Sequence, residues 1–234
     1  MQQALQQRLA LVEDRIQSAF RRAGRRRDEV TLVAVTKSVT PEVAASLHRL
    51  GLVDLAESRP QELWRKAAAL PTSVRWHLVG HLQRNKIERT LPLAHLIHSV
   101  DSLRLLKALD AEAARTDHPV SVLLQVNASR EAVKHGFAAE ELPAVLREVS
   151  SLKKVTVCGL MTMAALEDDP ERCRPTFAAL RDLRDRFAHD LPPPHTLNHL
   201  SMGMSNDFEV AVEEGATLIR LGTALFEAIG GESS

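Results

Sequence analysis

The 234-residue sequence contains no tyrosine, only two cysteines, no net charge and no long apolar segment. Cys158 and Cys173 are too few for a disulfide framework or a zinc site, which suits a reducing cytosol. Lys and Arg together number 30, as do Asp and Glu, so the overall charge gives no reason to expect nucleic acid or an anionic membrane as a partner. Residues 1–17 interrupt their apolar positions with charge, which predicts neither a signal peptide nor a membrane span. We therefore expect a cytoplasmic protein.

The first 27 residues carry one apolar stripe at helical spacing. This stripe predicts a helix that ends near Gly24 and packs on the core formed by the rest of the chain. Its members are Leu5, Leu9, Val12, Ile16 and Phe20.

Eight short apolar runs follow, and each is succeeded by a helical stretch. Strands that alternate with helices, without hairpin turns between them, imply parallel pairing through helical crossovers. Eight units of about 25 residues predict a single (β/α)₈ TIM-type barrel domain over residues 1–234, with an extra N-terminal helix. An open doubly wound sheet is the alternative. The runs are residues 31–36, 52–55, 75–79, 95–100, 120–126, 154–160, 195–201 and 217–222.

The candidate ligand site lies where strands one, seven and eight end, because barrels of this kind place active sites at the C-terminal ends of strands and often hold phosphate after strands seven and eight. Lys37 closes strand one, and Ser201 offers a hydroxyl after strand seven. Gly222 and Thr223 add backbone amides and a second hydroxyl after strand eight. Since strands eight and one are neighbours in a closed barrel, Arg220 is expected to face the same ligand as Lys37. A cation there favours the free amine, so the arrangement describes a lysine Schiff-base site beside a phosphate cup.

The turn after strand seven reads LSMGMSND. Gly203 lets the backbone approach closely, and Ser205, Asn206 or Asp207 is expected to cap the next helix. A phosphate-binding aldolase, which also uses a barrel lysine, is an alternative at this point.

Ten histidines raise the question of a metal site. The closely spaced pairs fall on strands or loops, where this spacing does not align two imidazoles as a helix would, and none has the glutamate of a zinc-protease motif. We expect structural or surface histidines and no metal. The pairs are His77/His81, His95/His98 and His195/His199.

Six motifs carry a resemblance to a known family. In order, they are VAVTKSV, WHLVGHLQRNK, HSVDS, QVNASREAVKHGF, GLMTM and LSMGMSNDFEVAVEEGATLIRLGTALF. From about residue 28 to residue 230, the chain resembles the pyridoxal phosphate homeostasis proteins, also called the YggS/PROSC family. These are similar to the N-terminal barrel domain of alanine racemases.

The resemblance implies a cofactor and a role for each site residue. Lys37 would form the Schiff base with pyridoxal 5′-phosphate (PLP), and Ser201, Gly222 and Thr223 match positions that hold the phosphate. Arg220 matches the arginine that faces the pyridine nitrogen. A permanently protonated arginine there keeps the ring nitrogen unprotonated, so PLP becomes a weak electron sink. That property suits a carrier or a racemase better than an aminotransferase.

The chain departs from the family pattern in two places, one of which is Glu227, where the family has a glycine after GTALF, and one motif stays without assigned roles. Ala56 and Ser58 stand where the family has Gly and Asn, which weakens the expectation that residue 58 contacts the cofactor. Four polar residues of the motif WHLVGHLQRNK are expected at the rim after strand three, with no individual role. They are His77, Gln83, Asn85 and Lys86.

The absence of tyrosine bears on activity, because a two-base racemase needs a tyrosine opposite its lysine, drawn from a further domain. We therefore expect a monomeric PLP-binding protein, without catalytic residues, that stores or delivers the cofactor in vitamin B6 homeostasis. Apo PLP-dependent enzymes are the candidate recipients. A small PLP-dependent enzyme, such as a slow amino-acid racemase or a lyase, is the alternative.

Overall fold

The computed structural model describes residues 2–129 and 135–227. Within them, eight parallel strands close into a barrel in sequence order, with β8 paired to β1. The predicted TIM-type barrel with an extra N-terminal helix is confirmed, and an open sheet is excluded. Residues 130–134 of the QVNASREAVKHGF motif lie outside the described residues. The strands are β1 Thr31–Val35, β2 Asp54–Glu57, β3 Arg75–Leu78, β4 Ala94–Val100, β5 Val120–Gln125, β6 Val155–Met161, β7 His199–Ser201 and β8 Leu218–Leu221.

Helices alternate with the strands and surround the barrel. Four short 3₁₀ helices, at residues 27–29, 84–86, 139–141 and 170–173, join these elements in the described ranges. The α-helices are α1 Gln2–Ala23, α2 Pro41–Arg49, α3 Pro60–Ala67, α4 Ile87–Thr90, α5 Leu103–Thr116, α6 Leu142–Val149, α7 Arg174–Phe187, α8 Phe208–Glu213 and α9 Thr223–Phe226.

Helix α1 forms because its apolar stripe has a core to pack against. Leu5, Val12, Ile16 and Phe20 are buried, and the helix contacts α8 and α9. It ends where predicted, since Gly24 has φ +63°, the left-handed conformation that commonly stops a helix.

Strands β2 and β7 differ most from their predicted bounds. β2 begins and ends two residues later than its apolar run, because Glu57 is a fully buried strand residue held by Lys66. β7 has only three residues and pairs with β8 through a single register partner, Ser201 with Leu218. Apolar pattern alone does not reveal a buried ion pair or an unpaired extended segment.

The barrel interior is partly polar. Successive strand residues point to opposite faces, so one row of each strand points inward and the other lies under the helices. The inner apolar cluster holds Val33, Ala56, Leu96, Leu123, Met161 and Leu218. Buried polar side chains share this interior, namely Asp54, His77, His98, Ser201 and Arg220.

Among the residues that the structure describes, no helix is both long enough and apolar enough to cross a membrane.

Candidate functional site

Lys37 stands in the turn that follows β1, at the C-terminal end of the barrel. The chain is fixed just before it, since Thr36 is buried and its carbonyl oxygen accepts a hydrogen bond from Lys66 Nζ at 2.6 Å. The Lys37 side chain is exposed, lines a cavity of about 1200 Å³, and has no hydrogen bond or ion pair with any other described residue. The turn therefore presents an unpaired amine to the cavity.

Arg220 lines the same cavity from β8. It is 4% exposed, and its guanidinium donates to Ser201 Oγ at 2.6 Å and to the Thr162 carbonyl oxygen at 2.9 Å. Burial lowers the pKa of Arg220 to about 10, against the opposing effect of the Asp207 charge. The guanidinium thus stays protonated at pH 7 and supplies a fixed positive charge.

The turns after β7 and β8 meet on Ser205. Its Oγ accepts hydrogen bonds from the backbone nitrogens of Gly222, at 3.3 Å, and Ala224, at 3.1 Å. Gly203 makes the first turn possible, because it has φ +90° and a Cβ there would come within 2.5 Å of the Ala211 Cβ. The two turns form a cup of hydroxyl and amide groups, which favours an anion such as phosphate.

Four of the five predicted site residues line this one cavity: Lys37, Arg220, Gly222 and Thr223. Ser201 lies deeper, fully buried in the barrel interior, and its Oγ contacts Arg220 and the Nδ1 of His98. Its role as a phosphate ligand stays a prediction, while the geometry favours Ser205, for which the sequence suggested only a helix cap.

The WHLVGHLQRNK motif is divided between the cavity and other surroundings. Val79 and Gly80 line the cavity, as does Ser58 from the neighbouring loop. A Cβ on Gly80 would come within 2.1 Å of the Ser58 carbonyl oxygen, so only glycine permits this approach. His77 is buried in the interior, and Gln83, Asn85 and Lys86 do not line the cavity. In the described ranges, no group of three or more metal-ligating side chains is close enough to hold a metal.

Helix α1 forms one wall of the cavity, a contribution that the sequence did not reveal. Arg8, Leu11 and Arg15 line it from this side, while Met163 and Leu166 line it from the segment after β6. Leu11, Met163 and Leu166 are 57%, 39% and 88% exposed. The cavity therefore opens to solvent between α1 and this segment.

The donor set is chemically suited to PLP. The unpaired amino group of Lys37 suits the aldehyde of PLP, and the Ser205 cup suits its phosphate. The buried Arg220 suits its pyridine nitrogen, which accepts hydrogen bonds. The residues present thus match the aldehyde, the phosphate and the pyridine nitrogen of the cofactor.

Comparisons with known proteins all lead to one family. The family model described as the alanine racemase N-terminal domain matches residues 11–229. The pyridoxal phosphate homeostasis protein of Aquifex aeolicus is 40% identical over 94% of this chain and 96% of its own. Its counterpart in Deinococcus radiodurans is 42% identical, over 90% and 95%. The PLP-bound structure of PipY from Synechococcus elongatus PCC7942 superposes with a TM-score of 0.82 at 32% identity, covering 95% of this chain and 99% of that one.

Proposed function

The chain belongs to the family of pyridoxal phosphate homeostasis proteins, and we propose that it holds PLP in the cavity described above as part of vitamin B6 homeostasis. The observation that carries the proposal is the convergence of the Lys37 amine, the buried Arg220 cation and the Ser205 cup on one cavity. When bound, PLP supplies an aldehyde that bonds reversibly to primary amines.

Each residue has a separate task in this proposal. Lys37 provides the covalent attachment point, and Gly222, Thr223 and Ser205 receive the phosphate. Arg220 donates a hydrogen bond toward the ring nitrogen while keeping its own proton, because its pKa of about 10 is well above neutral pH. The ring nitrogen then stays unprotonated, which suits reversible storage better than strong carbanion chemistry.

We place this role in the cytoplasm, in a monomer that stores PLP or delivers it to apo PLP-dependent enzymes. Two observations support this placement: neither Cys158 nor Cys173 is in a disulfide, and the cavity mouth is open to solvent. An open mouth allows the cofactor to leave.

The covalent link is tested with Lys37→Ala. Wild-type protein mixed with PLP should be yellow, and borohydride reduction should fix the cofactor on the peptide that contains Lys37. Lys37→Ala should lose the visible band yet still bind pyridoxine 5′-phosphate, which has no aldehyde. Lys153→Ala, an exposed lysine outside the cavity, is the matched control. A wild-type protein that takes up no PLP would refute the function.

The phosphate cup is tested with the double variant Ser205→Ala/Thr223→Ala. Charge-assisted hydrogen bonds are worth about 1.5 to 3 kcal/mol each, so PLP affinity should fall by about two orders of magnitude or more. Affinity for unphosphorylated pyridoxal should hardly change, as calorimetric titration would show. Thr116→Ala/Ser150→Ala, which removes two exposed hydroxyls elsewhere, should bind like wild type. Equal losses for both ligands would place the phosphate elsewhere.

One observation favours a second candidate, a slow PLP-dependent racemase or lyase: the cavity, about 1200 Å³, has room for an amino acid beside the cofactor. Incubating the PLP-loaded protein with amino acids in deuterated water tests it. Exchange of the α-hydrogen no faster than with free PLP would dismiss this candidate.

A further inference from the structure

A series of buried, hydrogen-bonded polar side chains crosses the barrel interior from Arg220 to the opposite end. Ser201 Oγ lies 2.7 Å from His98 Nδ1, and His98 Nε2 lies 2.8 Å from His77 Nδ1. His77 Nε2 lies 3.0 Å from Asp54 Oδ1. The carboxylate also accepts from Arg75 at 2.5 Å, and the Arg75 side chain is 49% exposed at the N-terminal mouth of the barrel. This series thus connects Arg220, which lines the cavity, with solvent at the N-terminal mouth of the barrel.

The two ends, with one proton on each imidazole between them, set the direction of every hydrogen bond in the series. A guanidinium only donates, so Ser201 Oγ accepts from Arg220 and has its own proton left to give to His98 Nδ1. An ionised carboxylate only accepts, so Asp54 accepts a hydrogen bond from His77 Nε2–H. With one proton on each imidazole, His98 Nε2–H then donates to His77 Nδ1, and both rings carry that proton on Nε2.

The charges along the series agree with hydrogen bonds that all run from Arg220 towards Asp54. Burial lowers the pKa of His98 well below its ordinary value, so this ring is neutral. Although burial opposes it, hydrogen bonds from His77 and Arg75 hold the pKa of Asp54 below its usual range, so the carboxylate is ionised. The reverse direction would need His77 to donate from both nitrogens, which requires an additional proton.

We propose that Ser201, His98, His77 and Asp54 are positioning residues that hold Arg220 in place for its ligand through this one-directional hydrogen-bond chain. Each acceptor lone pair in the series faces the Arg220 end, so the aligned dipoles and the Asp54 charge stabilise a buried cation. Its guanidinium contacts no carboxylate among the described residues. Hydrogen bonds in such a chain also polarise one another.

A contribution to stability alone does not account for this polar series in the barrel interior. Well-packed apolar side chains often replace buried polar networks without loss of stability, and the same interior already holds an apolar cluster. The polar series also ends on Arg220, a buried arginine that lines the cavity. Its role toward Arg220 therefore explains it better than packing does.

The first test reads the chain in the cofactor-free protein by ¹⁵N NMR of its histidines. His77 and His98 should both be neutral with the proton on Nε2, and Ser201→Ala should change the His98 signals. A proton on His98 Nδ1, or a doubly protonated His77, would overturn the proposal. This result does not depend on PLP binding, so it stands apart from a failure of the proposed function.

The second test rests on the proposed function and compares two ligands. Since Arg220 faces the ring, Ser201→Ala should weaken PLP and unphosphorylated pyridoxal by the same factor, about tenfold. Ser201→Thr, which keeps the hydroxyl, should stay within about twofold of wild type. His95→Gln is the matched control, because the centroid of the His95 ring lies 5.7 Å from that of His77 and the ring takes no part in the hydrogen-bonded series.

Selective loss of PLP affinity in Ser201→Ala would instead make Ser201 a phosphate ligand, and no loss for either ligand would make the chain irrelevant to Arg220. Both results overturn the proposal. If Ser201→Ala does not fold, Ser201→Cys gives the same comparison, since a thiol has a similar shape and hydrogen-bonds weakly.

Discussion

At the scale of single residues, the chain buries ionisable groups that are expensive to bury. Burial lowers the pKa of His98, and it also lowers the pKa values of His195 and His199. Arg220 remains charged in the same interior, because its pKa of about 10 is still far above neutral pH. The barrel interior thus keeps His98 neutral and Arg220 charged, which gives the site one fixed positive charge.

The lowered pKa of His98 predicts a pH dependence of stability. The unfolded chain binds a proton near pH 6.5, whereas folded His98 resists it, so the stabilisation is complete above that pH and is lost as the pH falls. The free energy of unfolding should decrease by up to about 1.4 kcal/mol per pH unit for each such histidine. Urea unfolding of the cofactor-free protein at pH 7.5 and 5.5 measures this.

His98→Asn removes the titrating group, so its stability should fall less between these two pH values than that of wild type. His81→Asn, which changes an exposed histidine, should keep the wild-type decrease. Equal decreases in wild type and His98→Asn would contradict the role of His98.

At the scale of elements, β1, β2 and α3 meet at a buried ion pair behind the lysine turn. Lys66 of α3 donates to Glu57 Oε1 of β2 at 2.6 Å and to the Thr36 carbonyl oxygen at 2.6 Å, while Thr36 Oγ1 donates to the same carboxylate oxygen. Lys66 and Glu57 are almost fully buried. The pair therefore fixes the backbone immediately before Lys37.

Lys66→Met should be strongly destabilising, because it leaves the buried Glu57 carboxylate without a positive charge beside it, at a cost of about 3 to 5 kcal/mol. Denaturant unfolding measures the loss. Adding Glu57→Gln should recover part of it, since the second change removes the unpaired charge. Arg65→Met on the same helix breaks only an exposed pair with Glu62 and should cost about 1 kcal/mol or less. Similar losses for Lys66→Met and Arg65→Met would count against the buried pair.

At the scale of the whole molecule, α1 and the barrel share one hydrophobic core. Ile16 and Phe20 are buried against it, and Arg15 forms two hydrogen bonds with Glu209 of α8, at 3.2 and 3.1 Å. The same helix lines the cavity through Arg8, Leu11 and Arg15. Folding of α1 and completion of the cavity are therefore one event.

Ile16→Ala should destabilise the barrel as well as the helix, by about 2 to 5 kcal/mol. Both tryptophans, Trp64 and Trp76, lie outside α1, so their fluorescence reports on the barrel. The fluorescence and far-ultraviolet circular dichroism transitions should shift together to lower denaturant. Leu11→Ala, on the exposed side of α1, should shift them little. A fluorescence transition that stays in place while helical signal is lost would show that α1 folds separately.

The sequence by itself determined the barrel, the N-terminal helix and four residues of the cavity. These features depend on local order: periodic apolar runs specify strands and helices, and closure of eight parallel strands brings the turns holding Lys37 and Thr223 together. Only the tertiary structure placed Ser201 in the interior, 103 positions along the chain from His98, its hydrogen-bond partner. It alone revealed the cup around Ser205 as well. Such contacts depend on which way side chains point from non-adjacent strands and turns, and no local pattern encodes that direction.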